Sequence, residues 1–223
     1  MNNTKDLTTP TRQHGLAIKQ ERSKVTYDAL INAGFKLLEV SDLQDISIAE
    51  LAREAGYSVG AFYARFRSKD EFFDALIAQH LDNRTQAQLT LYTTLPRATL
   101  VSELMHNIVN YYWEHRKFWR AVLARSIRDG ASWDPMRTHR QTSTRRFLDR
   151  VEREAGRTLT DHEIANIAFA FQVVLGTIDS TVINQPGPVL MNQKQFIEGL
   201  ARTFTLVSGF DLLVTGKSRS PSR

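Results

Sequence analysis

Between residues 47 and 71 the sequence starts three helices in quick succession. Ser47-Ile-Ala-Glu50 is a capping box, in which the serine and the glutamate satisfy each other's free backbone N–H groups. Gly56 stands where a left-handed residue closes that helix. Ser58 can cap the next one, and Ser68-Lys-Asp-Glu71 is a second capping box. Punctuation this dense leaves room only for tight turns. The middle segment, 59–66, is too short to hold itself as a helix in water and must be anchored by packing. At about 100° per residue, Phe62 and Phe66 share one side of it. Gly60, Ala61, Ala64 and Arg65 point away from them, and Tyr63 lies on a flank. One face is therefore aromatic and buried, while the other is nearly bare. A flat, bare face lets a short helix lie deep in the major groove of duplex DNA, and a preceding helix with a tight turn completes a helix-turn-helix. Close packing on another helix would also use small residues, but this segment's inward side is already satisfied.

The rest of the chain reads as helix with no strand pattern. Apolar residues recur at Tyr27, Leu30, Ile31, Leu37 and Leu38 within 24–40. The helix opened by Ser68 runs to about Arg84, from the short helices into the following domain. Helices follow over 96–112, 117–128 and 134–155, the last opened by Asp134-Pro135 and closed by Gly156. Thr160-Asp-His-Glu163 is a third capping box, opening an apolar helix to about Asn184. "QPGP" breaks it, and a last helix covers 192–213. The fold class is all-α, with about nine helices. The expected division is a flexible basic arm at 1–22, a helix-turn-helix DNA-binding domain at 23–69, a ligand-binding and dimerisation domain at 70–215, and a disordered tail at 216–223.

Composition excludes several classes. There is no cysteine, so disulfides and thiolate metal sites are absent. No histidine pair has the i,i+3 or i,i+4 spacing of a helical metal clip, and there is no Gly-rich phosphate loop or GxSxG elbow. Asp161-His162-Glu163 sits in a first helical turn, where acids complement the helix dipole. No cofactor is expected. The polar N-terminus has no apolar signal core, and no apolar run is read as a membrane span; a cytoplasmic protein is the expectation. The net charge is +5, but the basic excess lies beyond residue 84. Part of it is the arginine-rich run 137–157, offset by Asp149, Glu152, Glu154 and Asp161 as a solvated helix face. Charge alone thus does not point to nucleic acid. The arm residues Lys5, Arg12, Lys19, Arg22 and Lys24 would either follow the DNA backbone or solubilise the terminus.

"LINAGFKLL…ISIAELAREAGYSVGAFYARFRSKDEFFDALI" resembles the N-terminal domain of the TetR family of bacterial transcription regulators. The matching residues are Ala33, Gly34 and Leu37, then Ile48, Leu51, Ala52, Ala55 and Gly56, then Ser58, Gly60, Tyr63, Phe66, Lys69 and Glu71. The resemblance implies a homodimer of nine-helix subunits. The first three helices and the start of the fourth would bind a palindromic duplex operator. The remainder would hold a small-molecule effector, and the last two helices would form the dimer interface. It also implies phosphate contacts from Tyr63, Lys69, Ser58 and Ser47. Ala61 departs from the usual threonine and loses a hydroxyl contact. From the residues themselves, Arg65 is the long polar side chain on the outward face and the candidate guanine reader. Val59, Gly60, Ala61 and Ala64 offer only apolar or backbone contact, suited to a thymine methyl.

The aromatic run "YYWEHRKFW" at 111–119 packs a helical core and suggests a pocket lined by Met105, Ile108, Tyr112, Trp119 and Phe169, with His106 or Gln172 as a polar anchor. Its ligand would be apolar or aromatic, or a cation stacked on Tyr112, Trp113, Phe118 and Trp119 with help from Glu103 and Glu114. The stripes Ile164, Ile167, Phe171, Val174, Leu175 and Ile178, and Phe196, Leu200, Phe204 and Val207, are expected to form the dimer. The function expected is that of a homodimeric repressor released from DNA by an effector. The alternatives are a DNA-binding architectural regulator without effector, and an enzyme built on the C-terminal helices.

Overall fold

The structure is a computed structural model that describes residues 10–213, with side chains described from Glu21 onward. Among the described residues there are nine α-helices and no strand. They are α1 (Pro10–Val40), α2 (Ile48–Glu54), α3 (Val59–Tyr63), α4 (Lys69–Thr94), α5 (Arg97–Glu114), α6 (Arg116–Arg128), α7 (Asp134–Ala155), α8 (Asp161–Asn184) and α9 (Lys194–Ser208), with 3-10 turns at Gly130–Trp133 and Phe210–Leu212. The all-α reading holds. Residues 10–22, read as part of a flexible arm, are helical and belong to α1. Residues 1–9, with Lys5, and the tail 216–223 lie outside the described residues. α4 continues ten residues past its expected end, because nothing between Arg84 and Pro96 breaks it. α9 starts two residues later than expected, at Lys194, and ends earlier, where Gly209 closes it in the left-handed region at φ 64°.

The chain divides into two compact units within α4, at Ile77 and Ala78. In the first, Leu30, Ile31, Leu38, Leu51, Phe62, Phe66, Phe72, Phe73 and Leu76 make the core. Gly34 is required there: a Cβ on it would lie 2.6 Å from the Phe72 ring, so α1 and the start of α4 meet backbone to ring. α2 ends in a Schellman motif, with Gly56 at φ 77°, Gly56 N–H bonded to Arg53 C=O at 3.0 Å and Tyr57 N–H to Ala52 C=O at 2.8 Å.

In the second unit, the Phe147 ring is a hub. Tyr92, Phe171, Phe204 and Phe210 surround it at 5.2–5.9 Å between centroids, three of them edge-on. α8 opens with the expected capping box: Glu163 N–H donates to Thr160 Oγ1, and Thr160 N–H donates to the Glu163 carboxylate at 2.8 Å. Arg157 pairs with that carboxylate, and its hydrogen bond chiefly holds Glu163 down at about 2. α8 is, contrary to the expectation, apolar and long enough to cross a membrane by composition. One side of it packs against α9, α6, α7 and α5, with Asp179 ion-paired to Arg140, and the other side is exposed.

Candidate nucleic-acid interface and ligand cavity

The serines that start the three helices act as caps. Ser47 Oγ accepts from Glu50 N–H at 3.1 Å, Ser58 Oγ from Ala61 N–H at 3.2 Å, and Ser68 Oγ from Glu71 N–H at 3.1 Å. Ser47 and Ser58 remain exposed at the two helix N-termini. Phe62 faces the core, where Tyr63, Phe66 and Phe72 pack on it at 5.4–5.6 Å. Val59, Gly60, Tyr63 and Ala64 are exposed, Tyr63 at 54%, and Ala61 is half-buried. Gly60 sits inside α3 with open space around it: a Cβ there would meet only the Ser58 hydroxyl, at 3.6 Å. Glycine inside a helix costs about 0.5–1 kcal/mol relative to alanine, and no neighbour in the fold requires it. The face carrying Gly60 is therefore open, with room for a larger side chain.

Two expected contacts are placed differently. α3 ends at Tyr63, so the helical angle used for Arg65 fails there. Arg65 is half-buried and turns back to α1, donating from Nε to the Ser23 carbonyl at 3.3 Å and from Nη1 to the Ala64 carbonyl. As it stands, the side chain ties α1 to the end of α3 rather than projecting from the bare face. Lys69, at the start of α4, donates to the Gln44 carbonyl at 3.3 Å, and burial pulls its pKa down.

In the C-terminal unit, a cavity of about 40 Å³ opens among α4, α5, α6, α7 and α8. Ile108, Tyr112 and Trp119 line it as expected, with Tyr112 and Trp119 stacked at 4.2 Å. Met105 is fully buried but belongs to the solid core. Phe169 and Gln172 do not reach the cavity. They lie on the opposite, exposed side of α8, because Ile167, Ala170, Phe171, Val174 and Ile178 are the residues that turn inward. Of the stripes expected to dimerise, Ile167, Phe171, Val174, Ile178, Leu200 and Phe204 are buried in the subunit's own core, while Ile164, Leu175, Phe196 and Val207 are half-buried. His106, Glu103 and Glu114 are exposed and face away.

The polar lining comes from residues the sequence reading passed over. Arg84, Gln88, His139 and Arg140 all line the cavity. Arg140 makes a bidentate pair with Asp179 at 2.8 and 2.9 Å and donates to Tyr112 Oη at 2.9 Å. Burial raises Tyr112 to about 12, so its hydroxyl stays protonated. Burial lowers His139 to about 4 and the neighbouring His80 to about 3, so both are neutral at physiological pH. Arg84 is only 6% exposed; it donates to Asn107 Oδ1 at 2.6 Å and stacks over the Tyr111 ring at 4.3 Å. Neither partner is an anion. Four buried side-chain atoms among the described residues have no hydrogen-bond partner in the protein: Arg84 Nη2, Gln88 Oε1, Trp119 Nε1 and Arg140 Nε. All four belong to residues of this one cavity. Each would ordinarily cost about 1–3 kcal/mol, more for a charged group. The available signal was register: His80, Arg84 and Gln88 continue the buried side of α4 from Ile77 and Leu81 to Tyr92, where apolar residues are the rule.

Residues 30–76 match the sequence profile of the bacterial regulatory proteins of the tetR family. Over 110 residues the chain is 28% identical to the uncharacterized HTH-type transcriptional regulator YwcC of Bacillus subtilis; the match covers 45% of this chain and about half, 48%, of that relative. The fold is similar to that of a tetR-family regulator from Streptomyces coelicolor (TM-score 0.61, 17% identity, 84% of this chain and 81% of that one) and of a TetR regulator from Haloarcula marismortui (0.62, 16%, 82% and 96%). It is also similar to that of RolR, solved in complex with resorcinol (0.57, 17%, 91% and 100%). At such identities these likenesses speak to the fold.

Proposed function

From the chain's membership of the tetR family of bacterial regulatory proteins, we propose that this helix-turn-helix transcription regulator is a homodimeric, cytoplasmic repressor, released from a palindromic operator by a small molecule held in its C-terminal unit. The observation that carries the reading is the pairing, in one chain, of a bare α3 face with a separate cavity of unsatisfied polar groups. Val59, Gly60, Ala61, Tyr63 and Ala64 form the face that enters the major groove, with Ser47, Ser58 and Lys69 at the phosphates. The helix N-termini behind the serines and the Lys69 charge suit anions. Arg65 reaches DNA only by exchanging its carbonyl partners for a base or phosphate.

Dimerisation uses the outer side of α8: Phe169, Gln172, Val173, Gly176 and Ser180 recur there at helical spacing, and Phe169 is 56% exposed. Leu206 of α9, 76% exposed, extends the apolar surface. A two-fold dimer presents its recognition helices about 34–36 Å apart, one turn of duplex. Light scattering is expected to give a dimer for the wild type and a monomer for Phe169→Asp. A wild-type monomer at micromolar concentration would contradict the assembly.

The cavity supports the effector reading over an architectural role. RolR, of the same fold, was solved with a one-ring diphenol. α4 is continuous from Lys69, at the DNA-facing end, through Arg84 and Gln88, which line the cavity. Effector and DNA then weaken each other's binding by the same factor. The test is operator release in fluorescence anisotropy, with duplex selected from a random pool and a panel of one-ring ligands. Release by some member of the panel is expected; no change in DNA affinity across it would overturn the effector reading.

A further inference from the structure

The cavity's chemistry narrows what it holds. Three of its four unsatisfied atoms are donors: Arg84 Nη2, Trp119 Nε1 and Arg140 Nε. The fourth, Gln88 Oε1, is an acceptor. The charges do not balance. Arg140 is neutralised by Asp179, whereas Arg84 has only Asn107 and a ring as partners. The histidines add no positive charge, since burial holds His139 and His80 neutral, and Arg84, Arg146 and Arg140 also lower His139. One buried positive charge is thus left without a counter-charge, beside two further donors. A buried, unpaired guanidinium is strongly unfavourable unless something supplies an anion in another state of the protein. The remaining walls are Ile108, Met136, Phe171, Leu175 and the Tyr112–Trp119 stack. The volume is roughly three to four times the minimum that admits one water, a scale of one ring rather than several.

We propose that this cavity binds a small monoanionic carboxylic acid bearing one aromatic ring, with its carboxylate toward Arg84, Trp119 and Arg140 and its ring against the apolar walls. A carboxylate accepts only, which matches three donors, and its single charge matches the single uncompensated guanidinium. A hydroxyl elsewhere on the ring gives Gln88 Oε1 its donor. A phosphate ester would bring a second charge that nothing here neutralises, and a cationic drug would meet Arg84 directly. The proposal rests on the reading of this cavity as the effector site and names the ligand's class.

The test is titration calorimetry on the full-length protein with benzoate and salicylate, against benzamide, resorcinol and benzylamine. The expected result is saturable binding of both carboxylates, one per subunit, at least tenfold tighter than the neutral rings, with no binding of the amine. Arg84→Gln is expected to weaken carboxylate binding at least tenfold and to leave benzamide binding within threefold. If that variant fails to fold, the carboxylate-to-amide ratio on the wild-type protein decides by itself. Neutral or cationic rings binding as well as benzoate, undiminished benzoate binding in a folded Arg84→Gln, or no carboxylate binding at all would each overturn the proposal. Operator release, followed in parallel, separates the two readings. Release by a neutral ring alone keeps the effector reading and sinks this one. Carboxylate binding through Arg84 with unchanged DNA affinity keeps this one and sinks the effector reading.

Discussion

The two units of this chain treat their polar groups in opposite ways. In the helix-turn-helix unit the polar side chains are spent on structure: three serines cap three helices, Glu71 takes the Arg67 N–H at 2.7 Å, and Arg65 ties α3 to α1. Among the described residues, none of the unpartnered buried polar atoms falls there. In the C-terminal unit all four collect around one cavity. The first unit has finished its hydrogen-bond accounting and offers a bare surface. The second leaves these four buried atoms unpartnered, each at a cost of about 1–3 kcal/mol. The exposed apolar face and the buried unpartnered polar groups are thus separated along the sequence.

The sharpest way to break this comparison is to unfold one side of it. Phe62 is fully buried among three rings. Phe62→Ala is expected to cost about 3–5 kcal/mol, enough to abolish operator binding. Carboxylate binding in the other unit is expected to survive, as calorimetry on the variant will show. Loss of both together would mean that the units fold as one.

Acid should act on the other side. His80 and His139 are held at about 3 and about 4 by burial, against 6.5 when unfolded. Above pH 6.5 both states are neutral and stability is flat. Below it the unfolded chain takes up protons that the folded one refuses. Stability then falls by up to about 1.4 kcal/mol per pH unit for a buried histidine, less for the half-exposed His139. The melting temperature of the wild type is expected to drop from pH 6.5 to 4.5, and more steeply than that of His80→Asn. Equal slopes would remove His80 from the account. Smaller still is a single cap: Ser58→Ala is expected to destabilise the head by about 1 kcal/mol, visible in urea unfolding, with no effect on the cavity.

The sequence made the head legible because its signals are local. Capping boxes at Ser47 and Ser68, a left-handed Gly56 and the Phe62–Phe66 spacing each concern neighbours within a turn or two. Arg65 departs from the expected helical angle for a local reason too, since α3 ends two residues earlier. The C-terminal unit was legible in its helices but not in their facing. α8 has small and apolar residues around most of its circumference, so Phe169 and Phe171 looked alike, and only packing decides that one is exposed and the other buried. The cavity's polar lining comes from α4, α6 and α7, far apart in sequence. Arg84 and Gln88 read as solvated helix residues unless their register with Leu81 and Tyr92 is noticed.

The central claim is that the bare face of α3 is shaped for DNA rather than for the fold. Gly60→Leu tests it most directly, because the space around Gly60 is open and its backbone is helical. The measurement is fluorescence anisotropy of the full-length protein on its selected operator, beside urea unfolding of the same samples. The account predicts stability unchanged or raised by up to about 1 kcal/mol, since glycine is the poorer helix former, with operator affinity reduced more than tenfold. A stable Gly60→Leu protein that binds the operator as the wild type does would contradict it.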